Sequence, residues 1–258
     1  PAQKPQLVQK QIVIEKNIDI KTNQTEFVNE LPSNAITENL YTDRYILGLT
    51  NIGGSISGIL IKDSKRKSDI TLVAKAISSA GIVSVDGKGI LSGISSQSFT
   101  IHNDTKTFFF ENKELKLEKN ISFLKDKYGL DTVIKITNKT TENQNLSFDI
   151  TAASNISKNE VLEARYIELD IYYKDGSVKK FTGNKLLNYN RLYKNDIDWV
   201  SLKNKYYAII AKPDFDSKGV FTKNISGEPV LGFIVEDDKV LPGETRAYKI
   251  NFYIGPME

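Results

Sequence analysis

The chain has 258 residues, with 35 Lys and Arg against 32 Asp and Glu, so its net charge is +3 when His is neutral. This near balance excludes a nucleic-acid surface built on a large basic excess but leaves room for a weak attraction to anionic lipid. The absence of Cys excludes disulfides, thiol catalysis and zinc sites that need sulfur, and the single His, His102, disfavours most imidazole chemistry. We therefore predict a globular protein that holds no metal and no cofactor.

The first 39 residues are predicted to form a linker that carries one or two short strands. Residues 1–11 are rich in Gln, Lys and Pro and have little to bury. The strand signal is a period of two in the isoleucines that follow, Ile12, Ile14, Ile18 and Ile20. No stretch reaches the ~20 apolar residues of a membrane helix and no signal peptide precedes Pro1, so we expect the chain to be soluble as it stands.

From residue 40 to residue 258 the composition does not change, which predicts one domain. A glycine cluster, Gly48, Gly53, Gly54 and Gly58, opens it. Its spacing fits neither the dinucleotide fingerprint nor the P-loop, so a phosphate site is the weaker alternative. We interpret Gly53-Gly54 as a tight turn between two strands, Tyr45–Thr50 and Ser55–Ile61.

Short segments with a period of two recur along the domain. Leu130, Thr132, Ile134 and Ile136 share one face, and the same alternation returns near the end in Ile250, Phe252 and Ile254. The pattern predicts an all-β fold, a large antiparallel sandwich.

Two Asp-Gly pairs and one polar segment separate the predicted strands. Asp175-Gly176 predicts a type I′ hairpin, and Asp86-Gly87 predicts a second turn. Residues 157–168, where Val161, Leu162 and Arg165 share a face, predict at most a turn or two of helix.

Clustered carboxylates are the remaining candidates for catalysis. A glycosidase needs two acids ~5 to 10 Å apart across a cleft, and the sequence leaves open whether any two of these meet. We prefer to interpret them as solvated loop residues. The clusters are Asp214 and Asp216, and Glu236, Asp237 and Asp238.

Trp199, Tyr206 and Tyr207 lie in one strand-like segment and admit two interpretations. Exposed rings of this kind line sugar-binding faces, whereas a sandwich core buries them. We predict core packing, so that Trp199→Ala should cost ~3 to 5 kcal/mol of stability. His102 follows a strand-like stretch and is predicted to be a surface turn residue.

Three segments, taken in order, resemble the large periplasmic domain of the YidC family of bacterial membrane protein insertases. The first runs from Leu40-Tyr41-Thr42-Asp43 through Ile52-Gly53-Gly54-Ser55-Ile56 to Leu60-Ile61-Lys62. The second runs from Trp199 to Tyr206-Tyr207, with Tyr207 where Phe is usual. The third leads from Leu241-Pro242-Gly243-Glu244 to Tyr253-Ile254-Gly255-Pro256. The resemblance makes these residues family signatures with structural roles: Gly53, Gly54, Trp199, Tyr206, Tyr207, Pro242, Gly243, Gly255 and Pro256.

The resemblance implies a β-supersandwich like that of galactose mutarotase. It further implies a place on the periplasmic side of the bacterial inner membrane, tethered through helices that this chain lacks. Because mutarotases use His and Glu on the sugar and this chain has a single His, we predict that the domain is non-enzymatic. Its implied partners are accessory subunits of the Sec translocon and nascent membrane proteins, with no nucleic acid. The competing class is a carbohydrate-binding module or a mutarotase-like enzyme that uses a carboxylate pair. A cleft lined by exposed Trp or Tyr with convergent carboxylates would favour that competitor.

Overall fold

The computed structural model describes residues 35–62, 70–73, 81–124, 127–156, 166–187, 190–192, 194, 196–225 and 227–257. The linker and the strands predicted within residues 1–34 lie outside this part, as does most of the helix predicted at 157–168. The division at residue 40 stays a prediction, and the first strand crosses it.

Eighteen strands form within the described residues, and they pair only in antiparallel fashion. The prediction of an all-β antiparallel fold is therefore confirmed. The strands are β1 Thr37–Tyr41, β2 Tyr45–Thr50, β3 Ser55–Ile61, β4 Ile70–Val73, β5 Val85–Gly87, β6 Thr100–His102, β7 Thr107–Glu111, β8 Leu115–Phe123, β9 Gly129–Asn138, β10 Gln144–Ser154, β11 Glu168–Tyr173, β12 Val178–Thr182, β13 Asn190–Leu192, β14 Ile197–Lys203, β15 Tyr207–Pro213, β16 Gly219–Ile225, β17 Glu228–Val240 and β18 Thr245–Pro256.

The 3-10 helices that lie wholly within the described residues are Gly89–Leu91, Ile94–Ser96 and Gly183–Leu187. None of the described helices has the length and apolar character needed to cross a membrane.

The strands form three sheets that share one hydrophobic core. The four-stranded sheet has the order β1-β2-β3-β4, and the five-stranded sheet has the order β13-β16-β17-β10-β5. The largest sheet has nine strands in the order β12-β11-β14-β15-β18-β9-β8-β7-β6. Its last strand in sequence, β18, lies near its middle between β15 and β9.

The period of two places one face of each strand in the core. In β9 the side chains of Leu130, Thr132, Ile134 and Ile136 are buried, as predicted. The alternating positions of β18 that include Ile250, Phe252 and Ile254 are buried in the same way. The nine-stranded sheet therefore has an inner face packed in the core and an outer face that carries the polar and half-exposed residues.

The predicted strands on either side of Gly53-Gly54 are confirmed as β2 and β3. Gly53 and Gly54 have φ angles of 68° and 53°, in the left-handed region that glycine favours. The side chain of Lys119, fully buried on β8, reaches this turn, and its Nζ donates to the carbonyl oxygens of Gly53 and Gly54 at 2.6 and 2.9 Å. The turn is thus fixed to the core by the buried amino group of Lys119.

Two turn predictions need correction. Asp175-Gly176 does connect β11 to β12, but only Gly176 has a positive φ, so the loop is not a type I′ turn. The amide of Gly176 donates to the carbonyl of Tyr173, the pattern of a longer loop whose last residue is left-handed. Asp86-Gly87 lies inside β5, paired with β10, because the neighbouring β10 supplies backbone partners that a local turn signal does not reveal.

Candidate functional site

The outer face of the nine-stranded sheet holds a groove of about 810 Å³. Volumes of this order are typical of ligand sites in proteins. β11, β14, β15 and β18 contribute its floor and walls, and the segment between β8 and β9 closes one side. The residues that line it are Leu124, Lys127, Tyr128, Gly129, Asp170, Tyr172, Trp199, Ser201, Lys203, Ala208, Ile210, Phe252, Tyr253, Pro256 and Met257.

In β11 and β14 the side chains point alternately to the core and to the outer face, and the outward ones form the polar part of the groove. Leu169 and Ile171 of β11, and Val200 and Leu202 of β14, are fully buried in the core. The residues between them must therefore point to the outer face. Those outward positions are Glu168, Asp170 and Tyr172 on β11, and Trp199, Ser201 and Lys203 on β14.

The prediction that Trp199 packs in the core is wrong. Trp199 is half-buried, and its ring stacks on that of Tyr172 with the centroids 3.5 Å apart and the planes 17° from parallel. The two residues are directly paired across β11 and β14, so the sheet itself holds the rings together. Trp199 has the opposite parity to the core residues Val200 and Leu202, which explains its place on the groove wall.

A carboxylate pair lies beside the aromatic stack. Lys203 Nζ contacts Glu168 Oε1 and Asp170 Oδ2, each at 2.8 Å. Ser201 donates a further hydrogen bond to Asp170 Oδ2 at 3.3 Å. The other oxygen, Asp170 Oδ1, is buried and accepts no hydrogen bond.

Opposite influences act on the two carboxyl groups. Burial raises the pKa of Asp170, against the opposing effect of Lys203. Hydrogen bonds from Lys203 and then Lys180 hold the pKa of Glu168 well below its usual range. The ammonium of Lys203 occupies the space between the two carboxylates, where a glycosidic bond would have to lie in a hydrolase. The pair therefore forms an ion-paired cluster at the end of the groove.

The opposite side of the groove is aromatic and aliphatic. The rings of Tyr128 and Tyr253 meet edge to face, with centroids 6.4 Å apart. Gly255 permits this arrangement, because a Cβ at that position would lie 2.8 Å from the Tyr128 side chain. Pro256 and Met257 extend this apolar wall.

The structure separates the two tyrosines that follow Trp199 in the sequence. Tyr206 is exposed at the β14–β15 turn, whereas Tyr207 is buried in the core. Asn204 shapes this turn, since its Oδ1 accepts hydrogen bonds from the amides of both tyrosines at 2.9 Å. Pro242 and Gly243 form the β17–β18 turn at the far end of β18, remote from the groove.

The predicted acidic clusters lie elsewhere. Asp214 and Asp216 are exposed after β15, in agreement with a solvated loop. Glu236, Asp237 and Asp238 were predicted to be loop residues, but they belong to the long strand β17. A bulge there pairs Phe148 with Val235 and Leu146 with Asp238, and Asp237 has a φ of 53°. The extended pairing with β10 overrides the polar composition of the segment.

A second cavity, of about 590 Å³, lies on the five-stranded sheet. Glu236 and Asp237 line it together with Asp149, which accepts a two-pronged hydrogen bond from Arg191 at 2.7 and 3.0 Å. Burial raises the pKa of Asp149 despite this pairing. His102 lies outside both cavities, exposed at the end of β6, with its ring near that of Phe109.

Sequence reasoning missed Asp170, Tyr172 and Lys203. The signal that identifies them is parity: on both strands the polar and half-exposed residues alternate with large aliphatic ones. Their proximity across β11 and β14 depends on strand pairing between segments about 30 residues apart, which local pattern alone does not establish.

Comparison with protein families gives one match that spans most of the chain. The family model for the YidC periplasmic domain matches residues 42–258. A search of curated proteins found no significant match.

Several solved structures share the fold at low sequence identity. A putative aldose 1-epimerase from Escherichia coli K12 has a TM-score of 0.62 at 9% identity, covering 86% of this chain and 100% of the other. A galactose mutarotase-like protein from Lactobacillus casei has a TM-score of 0.63 at 9% identity, covering 85% and 100%. A galactose mutarotase related enzyme from Lactobacillus acidophilus has a TM-score of 0.61 at 12% identity, covering 85% and 97%. These similarities establish a galactose mutarotase-like fold and nothing about activity.

Proposed function

This chain belongs to the YidC periplasmic domain family, and from that premise we propose that it is a non-catalytic binding domain of a membrane protein insertase. In this proposal it lies on the periplasmic side of the bacterial inner membrane, and its outer-face groove holds apolar segments of nascent membrane proteins. Contacts with accessory subunits of the Sec translocon are part of the same proposal. The domain supports insertion and folding, while other parts of the insertase carry the chain across the bilayer.

The observation that carries the proposal is the apolar lining of the groove. Ala208 and Ile210 provide its floor, and Tyr128, Tyr253 and Met257 provide one wall. Burying apolar side chains of a ligand against such a surface is favourable at about 25 cal/mol per Å².

The ion-paired cluster argues against catalysis in the groove. A glycoside hydrolase needs one carboxyl group that gives a proton and a second that faces the sugar or a water. Here Glu168 and Asp170 both contact Lys203, and Glu168 also contacts Lys180 at 3.0 Å. His102, the one imidazole of the chain, lies outside the groove.

Carbohydrate binding is the second candidate, because the groove is lined by Trp and Tyr rings and has a carboxylate beside them. The Trp199–Tyr172 stack is half-exposed, and Asp170 lies beside it. Sugars bind to such ring faces, and a nearby carboxylate accepts hydrogen bonds from their hydroxyl groups. The fold shared with mutarotases makes this candidate worth a direct test.

Trp199 is the only Trp of the chain, so intrinsic fluorescence reports on the groove without a label. Two titrations should be compared: one with a synthetic peptide rich in Leu, Phe and Val and flanked by Lys, and one with glucose, galactose and their oligomers. We expect the peptide to shift Trp199 emission in a saturable way and the sugars to bind no tighter than ~1 mM.

Two variants serve as controls for the peptide titration. Ile210→Ser, on the groove floor, should weaken peptide binding, whereas Val178→Ser, on edge strand β12, should not. Micromolar sugar binding together with no peptide binding would replace the proposal with the carbohydrate candidate. Turnover of a sugar would overturn the non-catalytic assignment as well.

The role in insertion needs the intact membrane protein. Deleting residues 40–258 from it should impair insertion of inner-membrane proteins only in part, because the proposal assigns the transfer step to other parts of the insertase. Complete loss of insertion would show that the domain itself carries an essential step. Unchanged insertion would remove the support function.

A further inference from the structure

One end of the molecule combines exposed aromatic and aliphatic side chains with basic ones. We call this surface the Tyr–Lys end, and define it by two sets of residues. Its exposed large hydrophobic side chains are Tyr41, Leu124, Tyr206, Tyr253 and Met257. Its basic side chains are Arg44, Lys62, Lys127 and Lys205.

Direct contacts connect the first part of this surface. The turn after β1 brings Arg44 over the ring of Tyr128, with 5.2 Å from the guanidinium carbon to the ring centroid. Lys62 lies 6.0 Å from the ring centroid of Tyr41, and its Nζ donates to the carbonyl of Thr42 at 2.6 Å. Lys127 lines the small cavity beneath the same turn.

The second part joins the first through the groove rim. The ring of Tyr128 contacts that of Tyr253, and the amide of Met257 donates to the carbonyl of Tyr206 at 2.7 Å. Lys205 lies 5.0 Å from the ring centroid of Tyr206. The end of β1, the start of β9, the end of β18 and the β14–β15 turn therefore present one continuous surface.

Positive charge dominates this surface. Asp43 shares the turn with Arg44, while Glu168, on the groove side, is already paired with Lys203 and Lys180. A lysine ammonium group is attracted to the face of a tyrosine ring, so the contacts of Lys62 with Tyr41 and of Lys205 with Tyr206 hold positive charge beside exposed aromatic surface.

This combination fits a lipid surface better than a protein partner. Tyr is enriched where protein meets the interface of a bilayer, and Lys and Arg are attracted to anionic headgroups. The cores of protein–protein interfaces, in contrast, are depleted in Lys. We propose that the Tyr–Lys end docks on the surface of a bilayer that contains anionic lipid. The proposal goes beyond the groove's function, and the two surfaces share Leu124, Lys127, Tyr253 and Met257 at the groove rim.

The test is co-sedimentation of the chain with vesicles. Vesicles of phosphatidylcholine mixed with phosphatidylglycerol are compared with vesicles of phosphatidylcholine alone, at low and high salt. We expect binding to the mixed vesicles that weakens as salt screens the charges.

Two double variants test the two components of the surface. Lys127→Gln with Lys205→Gln should weaken binding to mixed vesicles by about fivefold per charge removed. Tyr206→Ser with Met257→Ser should weaken the binding that remains at high salt. Circular dichroism and thermal melting of each variant establish that it is folded.

Matched controls come from the opposite end of the nine-stranded sheet. Val178 and Leu241 are 39% and 49% exposed, against 38% and 40% for Tyr206 and Met257, so Val178→Ser with Leu241→Ser removes similar apolar exposure. Lys174→Gln with Lys179→Gln removes the same charge from exposed positions on the β11–β12 hairpin. Both controls should bind vesicles like the parent.

Three outcomes would overturn the proposal. The first is that the parent does not bind mixed vesicles. The second is that each end-specific variant binds as well as its control. The third is that the Tyr–Lys variants abolish self-association in sedimentation velocity while vesicle binding is absent, which would make a second copy the occupant. Ile210→Ser should leave vesicle binding unchanged, so a failure of the groove proposal is distinguishable from a failure of this one.

Discussion

Lys119 and Asp170 are both buried charged side chains, yet they lie in regions of opposite character. Lys119 occupies an inward position of β8, between Leu117 and Ile121, and its partners are the backbone carbonyls of the Gly53-Gly54 turn. Asp170 occupies an outward position of β11, and its partners are the side chains of Lys203 and Ser201 at the edge of a groove.

The difference shows two uses of a buried charge. An amino group held by the backbone carbonyls of a turn fixes that turn, because Lys119 and the strands on both sides of the turn are packed in the core. A carboxylate held by a long, partly exposed lysine can change its partners when a ligand enters. Substitutions around Lys119 should therefore change the stability of the fold, and substitutions around Asp170 should change ligand binding.

The largest effect is expected from Lys119→Ala at pH 9.5, where little of the cost of burying its charge remains, and the change should there lower the free energy of unfolding by about 3 to 5 kcal/mol. The change leaves a cavity and two buried carbonyl oxygens without their donor. Chemical denaturation measures it, with Lys116→Ala as the control. Lys116 lies on the same strand in a partly exposed ion pair with Glu118, so its loss should cost much less than the loss of Lys119. An equal loss of stability in Lys119→Ala and Lys116→Ala would show that Lys119 does not fix the turn.

Gly54→Ala should cost about 2 to 3 kcal/mol. Its φ of 53° strains any other residue, and a Cβ would lie 2.7 Å from Phe99 Cδ1. Gly243→Ala isolates the backbone component, since Gly243 has a φ of 74° with nothing within 4 Å of the added Cβ. We expect thermal or chemical unfolding to give the smaller loss, about 1 kcal/mol, for Gly243→Ala. The reverse order would mean that the turn is not packed as described.

The third prediction concerns pH. Burial lowers the pKa of Lys119 to about 7, whereas the unfolded chain keeps it near 10.4. Between these values the unfolded state binds the extra proton, so this residue makes stability rise with pH, by at most about 1.4 kcal/mol per pH unit. Its destabilising contribution is fully present below about pH 7.

Denaturation of the parent and of Lys119→Met, measured from pH 6 to pH 9.5, isolates this contribution, since other groups titrate alike in both proteins. The unfolding free energy of the parent minus that of Lys119→Met should rise as the pH rises from 7 to 9.5. A difference that stays constant would show that Lys119 is charged in the folded state throughout.

The smallest effect is expected in the groove. Because Trp199 is half-exposed on the outer face, Trp199→Ala should cost about 1 to 2 kcal/mol, less than the value predicted for a core position. Leu202→Ala, fully buried on the same strand, should cost about 2 to 5 kcal/mol. A larger loss of stability for Trp199→Ala than for Leu202→Ala would mean that Trp199 is packed in the core.

Sequence periodicity was sufficient for the fold because inward faces repeat every second residue. β2, β3, β9 and β18 all follow from that signal together with the turn glycines. It failed at Asp86-Gly87 and at residues 236–238, where pairing with β10 makes polar segments into strands. Pairing between distant segments is the information that a local pattern lacks.

The groove was less accessible to prediction. Trp199 was assigned by residue type, although its parity relative to Val200 and Leu202 points outward. Lys119 shows the converse case, a charged residue with the parity of Leu115, Leu117 and Ile121. A rule that lets parity outweigh residue type places both side chains correctly. Their partners still depend on the three-dimensional arrangement of the sheet.

Because β18 lies in the middle of the largest sheet, that sheet cannot be complete until the end of β18 has been synthesised. The ribosome makes β18 after all its partners, yet it joins β15 on one side to β9 on the other. Without β18 the largest sheet is divided into two half-sheets, β12-β11-β14-β15 and β9-β8-β7-β6, because β18 is the strand that pairs with both β15 and β9. Each half-sheet then has an open edge of unpaired amide and carbonyl groups, the condition in which strands pair with the wrong chain. Completion of the sheet is thus a late, single event that closes both edges at once.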